Sequence, residues 1–498
     1  MSCANSDETR LLLSDDNLET QRAVKAKGTP LPLVQLGVLC SVRITEPIAF
    51  TQIFPYINNF ISSLHVTDDP KRIGFYSGLV ESVFAIFQLL SIYNLAKLSD
   101  KVGRRPVILF GITGIAVTTV LFGLSKSLPM MLIARALAGL CSGNTAVIHA
   151  VVGELTDASN QAVALPLYGL VWPLGSIIGP LLGGTFSHPA SKFQFLDWAF
   201  LRNYPYFLPC FISGVLGILG VVFGFFYLEE TLPSKRSVKV EKPQFLSRAA
   251  SASSTLYGTM EPSELSRKLS EPHSFTSLLS KSVIRALCGS GFALNFLAGG
   301  FEVVFVLYCY SAIEDGGLGL PTEQIGYSLS GSGILAMLLQ ILLMPYLMRT
   351  FDKAKVYNFC MCLFPFMFIV LSMLNLIARR GYDEVTGVMN SHTTGLLWAG
   401  IALVLSMSRV VNLSFALSMM LAKEYSPNEA SLGVTNALVQ FSMCLSRAVS
   451  PAFVSSIFAL SIDHNLLGGY LWVVIMVMVS LGGIYQSATI ANASESRF

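Results

Sequence analysis

Residues 96–106 read AKLSDKVGRRP, a charged stretch between two long apolar runs at 73–97 and 106–125. An α-helix needs about 20 mainly apolar residues to cross a bilayer, and each run has that length. Gly103 suits a tight turn, and the Lys and Arg residues around it suit a membrane surface. The stretch therefore predicts a turn between two membrane-crossing helices.

The composition of the whole chain agrees with this prediction. Of its 498 residues, 53% are hydrophobic and only 13% are charged, whereas soluble domains carry about 25% charged residues. An ordinary soluble enzyme and a disordered protein are therefore excluded. A net charge of +3, with dispersed basic residues, argues against nucleic-acid binding. Nine cysteines without a C-x-x-C pair and six scattered histidines predict no metal site and no cofactor.

Apolar runs of bilayer length recur twelve times along the chain. Ten-residue segments with alternating polarity, which are typical of outer-membrane barrels, are absent. The sequence therefore predicts an all-α membrane protein with twelve transmembrane helices. The predicted spans are 32–62, 73–97, 106–125, 129–152, 161–184, 206–228, 283–311, 323–349, 356–378, 396–421, 431–459 and 467–490.

Lys and Arg are concentrated before the first span and in the loops after even-numbered spans. Because cytoplasmic loops carry the excess of positive charge, both termini are predicted to be cytoplasmic. Residues 1–30 do not resemble a cleavable signal peptide. The first span is therefore expected to serve as an uncleaved targeting signal.

A long polar stretch at 229–281, rich in Ser, Glu, Lys and Pro, separates six spans from six. Such a composition cannot bury enough apolar surface to fold, so a disordered cytoplasmic linker is expected. Two parallel six-helix repeats, related by a pseudo-twofold axis, are one established transporter architecture. The predicted segments are a tail at 1–31, bundles at 32–228 and 282–490, the linker, and a short cytoplasmic tail at 491–498.

The polar segments contain short regulatory patterns. Ser251 and Ser270 each follow an upstream Arg, as kinase sites do, although a serine-rich tether produces such triplets by chance. Asp7 to Leu12 fits an acidic dileucine sorting signal, a pattern that also arises often by chance.

The loop at 96–106 resembles the major-facilitator motif G-x-L-x-D-R-x-G-R-R and departs from it at Ala96 and Lys101. We expect Asp100 to pair with nearby guanidinium groups or to cap a helix in one state, and to release in the other. A plain positive loop with a turn is the alternative. The predicted latch consists of Asp100, Gly103, Arg104 and Arg105, and residues 346–355 resemble a decayed copy of it.

Residues 175–184 of the fifth span match the family pattern G-x-x-x-G-P-x-x-G-G at every defined position. A spacing of four residues puts three of these glycines on one helix face, where another helix can approach closely. A proline in the helix promotes a kink. The pattern resembles that of drug:proton antiporters, although a simple small-residue packing face is the alternative. Its members are Gly175, Gly179, Pro180, Gly183 and Gly184.

Several ionisable or polar side chains lie inside the predicted spans, where each is a candidate functional group. Arg43 and Glu46 share a helix face, and Arg135 lies in an R-x-x-x-G setting that resembles the family's proton-coupling span. Arg135 could instead snorkel to the headgroups. Glu46 is the first candidate for a proton carrier, although each glutamate could be a structural partner of an arginine. The full set is Glu46, Arg43, Glu81, Arg135, Glu302, Asn295, Arg409 and Arg447.

The resemblance extends over essentially the whole chain. The stretches at 43–47, 54–58 and 74–82 look like a fungal branch of the drug:proton antiporters. Those at 351–357 and 393–397 look closest to mushroom members, some of which lie in biosynthetic clusters such as that for psilocybin. The resemblance implies export of a secondary metabolite or toxin, with a psilocybin-type tryptamine among the candidates.

We therefore predict a secondary transporter that exports a small organic molecule by alternating access. No Walker motif is present, so the proton gradient is the expected energy source. A proton-coupled importer, a non-transporting membrane sensor and a membrane enzyme are the alternatives. The last is disfavoured because catalytic clusters are absent from the sequence. A monomer is expected, in the plasma membrane rather than the vacuolar membrane.

Overall fold

The computed structural model describes residues 32–156, 167–232, 275–382, 389–427 and 429–495, together with residues 160, 164 and 235. This described part is almost entirely helical, and its one β-type pairing is an isolated bridge between Tyr382 and Met389. The predicted sorting signal, Ser251, Ser270 and most of the predicted linker lie outside the described residues.

Twelve helices in the described residues are long and apolar enough to cross a membrane, which confirms the predicted number. We label them α1 to α12 in chain order. They are Leu33–Thr51, Pro70–Val102, Arg104–Gly123, Leu128–Leu155, Leu167–Phe186, Phe207–Tyr227, Ser282–Tyr310, Thr322–Thr350, Lys353–Gly381, Ser391–Glu424, Val434–Asp463 and Leu471–Glu495.

The first predicted span, 32–62, is broken twice in the structure. Helical segments Leu33–Arg43 and Thr45–Thr51 are separated at Ile44, and a turn precedes the short helix Ile57–Ser63. A proline ring clashes with the carbonyl group four residues earlier. Pro47 and Pro55 stand four residues after Arg43 and Thr51, where the two helical segments end. The two prolines therefore account for both breaks.

The predicted boundaries of the polar segments need correction at two places. Helix Phe275–Ser280 lies inside the predicted linker at 229–281, because Leu278 is fully buried against Ile284 and Leu438. Helix α12 continues to Glu495, so most of the tail predicted at 491–498 is helical.

Helix packing repeats from the first half of the chain to the second. Helix α1 contacts α5 and α6, α2 contacts α4, and α3 contacts α4 and α6. Six helices later, α7 contacts α11 and α12, α8 contacts α10, and α9 contacts α10 and α12. The halves meet through α2 against α11 and α5 against α8, which are also equivalent pairs. The fold is therefore two pseudo-symmetric six-helix bundles, as predicted.

The two halves are joined at one end of the molecule. We call the end where α6 finishes and α7 begins the linker side, and the opposite end the far side. Among the described residues, every hydrogen bond and ion pair between the halves lies near the midplane or on the far side. These contacts are Asn59–Thr322 at 2.5 Å, Lys71–Asp315 at 3.5 Å, Arg72–Asp463 at 3.5 Å, Lys192–Glu323 at 2.6 Å, Ser82–Ala452 at 2.9 Å and Ser330–Ile177 at 2.9 Å.

Small residues allow this far-side closure. A Cβ atom added at Gly184 would lie 3.1 Å from the Cα of Gly326 in the other half. A side chain at Gly78 would collide with Ser455 and with the backbone of Pro451. The halves can therefore approach to backbone contact only because these positions lack side chains.

The far-side contact can be tested by cross-linking. We expect the N59C/T322C double variant to form a disulfide, because the native side chains are in hydrogen-bond contact at 2.5 Å. Cleavage at a protease site inserted after Ser251 would then leave the halves joined until a reductant is added. The N59C single variant, which retains the nine native cysteines, is the control. Separation of the halves without reductant would contradict the observed closure.

Candidate functional site

The predicted latch begins at the turn between α2 and α3. Gly103 has a φ of +119°, a conformation that favours glycine. A Cβ atom there would also lie 2.5 Å from the carboxylate of Glu230. Glycine is therefore required at this position both by the turn and by the approach of Glu230.

The charged residues of the loop bind one another and their own half. Asp100 pairs with Arg104 at 2.7 Å, and Arg104 also pairs with Glu154 at 3.1 Å. Arg105 donates a hydrogen bond to the carbonyl oxygen of Phe225. The Asp100 side chain is 61% exposed. Among the described residues these side chains make no hydrogen bond or ion pair to the other half, so in this structure the loop is bound within its own half.

The cap on α3 comes from a residue outside the motif. Glu230 accepts hydrogen bonds from the backbone N–H groups of Arg104 at 2.8 Å and Arg105 at 3.1 Å. A carboxylate at a helix N-terminus interacts favourably with the helix dipole. Asp100 was expected to pair or to cap, and it pairs. The sequence signal for Glu230 was a carboxylate immediately after an apolar span.

The loop copy in the second half also caps a helix. The Asp352 carboxylate accepts hydrogen bonds from the N–H groups of Ala354 at 2.7 Å and Lys355 at 3.1 Å, at the start of α9. Partial burial opposes its ionisation. Hydrogen bonds from Ser494 and the two amides outweigh that effect and hold the pKa of Asp352 below its usual value.

The glycine face of α5 packs on α1. A Cβ atom at Gly175 would lie 2.5 Å from the Cβ of Pro47. A Cβ atom at Gly179 would collide with Thr51, and one at Gly183 would collide with the carbonyl group of Gln52. The motif therefore brings two helices of one half into backbone contact.

The other two members of the motif face the second half. Gly184 meets Gly326, and the carbonyl oxygen of Pro180 would lie 2.7 Å from a Cβ atom at Gly326. Helix Val171–Phe186 runs through Pro180 without interruption. In this structure the end of the motif therefore serves the contact between α5 and α8.

Glu46 is held in a polar network within the first half. It forms an ion pair with Arg43, and both side chains are buried. The carboxylate also accepts hydrogen bonds from Ser142 at 2.6 Å and from Thr145 at 3.2 Å. Gln88 extends the network by donating to Ser142 at 2.8 Å. Ser142 and Thr145 were absent from the sequence-predicted set, because a hydroxyl in a span gives no distinct signal.

A histidine lies near this network. His149 has an exposed side chain close to the linker-side end of α4. Its ring meets Tyr168 edge-on at 5.6 Å, and the charge of Arg43 acts on it. His149 stands one helical turn after Thr145, so the two residues share a face. His149 therefore lies on the same face of α4 as Thr145, one turn closer to the linker side.

Glu81 and Arg135 form the second interior ion pair. Both side chains are 4% exposed, and the Nη2 atom of Arg135 donates to both carboxylate oxygens, at 3.1 and 3.0 Å. The guanidinium also lies over the ring of Phe84, with the Cζ atom 4.5 Å from its centroid. Arg135 is therefore an interior charge and not a snorkelling one.

Arg447 is held by aromatic rings of the opposite half. Its Cζ atom lies over the ring of Phe50, 4.6 Å from the centroid, and 5.7 Å from the centroid of Trp172. Among the described residues, Arg447 makes these ring contacts but no hydrogen bond or ion pair. Neither aromatic residue was in the sequence-predicted set, since an aromatic side chain in a span is most often core.

Glu302 and Arg409 complete the interior set. Arg409 is buried and donates to Ser332 at 3.1 Å. Glu302 is partly exposed, and the charges of Arg409 and Arg447 both act on it. In the described part of the chain, Glu302 makes no hydrogen bond and no ion pair within 4.0 Å. These three residues therefore approach one another without direct pairing.

Asn295 has a different role. Its side-chain amide donates to the backbone carbonyl of Met443 at 2.7 Å and so joins α7 to α11. Glu81 lies within electrostatic reach of Arg135, Arg447 and Glu302. Within the described residues, no group of three His, Cys, Asp or Glu side chains could hold a metal ion.

Comparison with known proteins agrees with this architecture. The family model described as "Major Facilitator Superfamily" matches residues 48–451. The major facilitator-type transporter psiT2 of Psilocybe cyanescens is 46% identical, with 98% of this chain and 96% of that protein aligned. The efflux pump azaK of Aspergillus niger is 29% identical, with 95% and 92% aligned. A bacterial homologue of the human lysosomal transporter Spinster, solved inward-facing and occupied, superposes with a TM-score of 0.61 at 12% identity over 94% and 96% of the two chains.

The Glu81–Arg135 pair allows a test of interior charge balance. We expect E81Q to lower the free energy of unfolding by about 3–5 kcal/mol, because Arg135 is left buried without its counter-ion. The E81Q/R135Q double variant should recover part of that loss. Denaturant unfolding in detergent measures both.

The surface pair Lys355–Glu495, at 2.8 Å, is the matched control. Its side chains are about 60% exposed, so E495Q should leave the free energy of unfolding nearly unchanged. A similar loss in E81Q and E495Q would contradict a buried role for the Glu81–Arg135 pair.

Proposed function

This chain belongs to the Major Facilitator Superfamily, and from that membership we propose that it is a proton-coupled exporter of a small organic molecule. It is an integral, multi-pass membrane transporter and not an enzyme. The cargo we propose is a secondary metabolite or toxin, and a psilocybin-type tryptamine is one candidate. We also propose that the protein acts as a monomer in the plasma membrane, with both termini in the cytoplasm.

The direction of transport is supported by a relative, and the shape of the molecule is the state in which an exporter takes up its cargo and an importer releases it. An efflux pump is among the proteins that align over nearly the whole chain. The halves are closed on the far side, and α6 and α7 reach the linker side. With cytoplasmic termini, this is the arrangement that loads cargo from the cytoplasm.

The observation that carries proton coupling is the network around Glu46. A proton on Glu46 would neutralise its carboxylate and leave Arg43 unpaired inside the bundle, which is costly at membrane depth. The state of Glu46 would therefore bias the packing of α1 against α4. Thr145 donates to Glu46, and His149 stands one turn further along α4 towards the linker side, so we propose these two residues as the proton route.

Transport into proteoliposomes with an imposed pH gradient tests this function. Tryptamine-type and indole-acid metabolites serve as cargoes. We expect gradient-driven transport by wild type and a loss of about a hundredfold or more in E46Q, the range that proton-transfer groups typically contribute. The matched control is E424Q, because Glu424 pairs with Lys353 at 2.9 Å on the surface.

Three other outcomes of the transport assay would each contradict one part of the proposal. Equal gradient-driven transport by wild type and E46Q would contradict the role of Glu46. Transport that survives collapse of the gradient by an ionophore would contradict proton coupling. Accumulation that follows protons inward would replace export by import.

A further inference from the structure

The guanidinium of Arg447 has unused hydrogen-bonding capacity at membrane depth. It is partly exposed, lies over the ring of Phe50, and makes no hydrogen bond or ion pair with the described residues. A guanidinium carries five N–H donors in its plane, and stacking on an aromatic ring uses its face rather than these donors. The donors of Arg447 are therefore available to a ligand.

A second guanidinium lies in the same region. Arg409 is buried and donates its Nε–H to Ser332, and its outer nitrogens make no hydrogen bond with the described residues. Glu302 lies within the electrostatic reach of both arginines but is bonded to neither. One carboxylate therefore interacts electrostatically with two guanidinium groups, and its single charge cannot neutralise both.

The predicted interior set as a whole also carries a surplus of positive charge. The seven Arg and Glu side chains of the predicted interior set are four arginines and three glutamates. Two of the glutamates are already paired in the first half, with Arg43 and Arg135. The surplus positive charge is therefore located in the second half, at Arg409 and Arg447.

We propose that Arg447 and Arg409 bind the acidic group of the substrate and that the cargo is an organic anion. A carboxylate or phosphate accepts two parallel hydrogen bonds from a guanidinium, which matches the free edge of Arg447. Trp172, which is 37% exposed, and Phe50 supply an apolar wall for the body of the molecule. Glu302 competes with the substrate for the two arginines. This inference rests on the proposed transport function and adds the class of its substrate.

A cationic cargo fits the same site poorly. Within the described part of the interior, its one acidic partner outside an ion pair would be Glu302, and the positive charges of Arg409 and Arg447 would act on it. An anion instead completes the balance of the cluster. Glu302 competes with an anion for the arginines but would attract a cation. Removal of its carboxylate should therefore tighten the binding of an anion and weaken the binding of a cation.

Direct binding to the purified full chain in detergent tests the proposal. Three probes share one body and differ in charge: 3-phenylpropanoate, 3-phenylpropanol and 3-phenylpropylamine, with phenyl phosphate as a second acid. We expect the acids to bind about tenfold or more tightly than the alcohol or the amine, since one good charged contact is worth that factor. Comparison of the two acids decides between a carboxylate and a phosphate.

The variants separate the roles of charge and geometry. We expect R447Q to weaken binding of the acids about tenfold or more, and R447K to fall between R447Q and wild type because it keeps the charge but loses the fork. E302Q should tighten binding of the acids several-fold, a gain that misfolding cannot produce. The matched control is R380Q, which removes an exposed arginine at the end of α9 and should bind as wild type does.

Several results would overturn the proposal. These are a preference for the amine, equal binding of all probes, weaker binding of the acids by E302Q, and no detectable binding of either acid by wild type and E302Q. Because binding is measured without a membrane or a gradient, loss of proton-driven transport in E46Q does not affect it. Conversely, transport of a cation driven by protons would leave the proposed function standing and end this inference.

Discussion

A charge inside a bilayer must be compensated, and this constraint governs the interior of the protein. Taking an ion out of water costs several kcal/mol, whereas an opposite charge at 4 Å returns about 4 kcal/mol at an effective dielectric constant of 20. Glu81 with Arg135, and Glu46 with Arg43, meet the requirement by direct pairing. The Glu81–Arg135 pair joins α2 to α4, and the hydrogen bonds to Glu46 join α1 to α4. The first half is thus bound together by the same contacts that neutralise it.

The two halves share one fold but differ in charge. In the first half each interior glutamate has an arginine, the α5 glycines pack tightly on α1, and Glu230 caps the loop helix. In the second half Arg409 and Arg447 approach Glu302 without direct pairing. Pseudo-symmetry of the backbone therefore coexists with a division of chemical roles. The paired half is suited to hold a proton site, and the unpaired half is suited to receive a ligand.

The sequence predicted features formed by residues close together in the chain, but not contacts between residues far apart in it. Twelve spans followed from the length of the apolar runs, and the Arg43–Glu46 contact followed from a spacing of three. The partner of Glu81 could not be predicted in this way, because Arg135 is 54 residues away along the chain and the rotation of each helix is set by packing. Glu230 and Trp172 were missed because their roles exist only after α6 and α5 are placed. The proton carrier and the cargo stay predictions, since hydropathy and spacing carry no information on either.

Transport requires that the far-side closure be weak enough to reverse. Its three ion pairs, Lys71–Asp315, Arg72–Asp463 and Lys192–Glu323, have partly exposed side chains, and exposed pairs contribute only about 0–1 kcal/mol each. Rocking moves the ends of the bundles most and their middle least. The contact of Arg447 with Phe50 joins the halves near that middle, so it can persist while the ends exchange. A site at the point of least movement is accessible in turn from both sides, which is what alternating access demands.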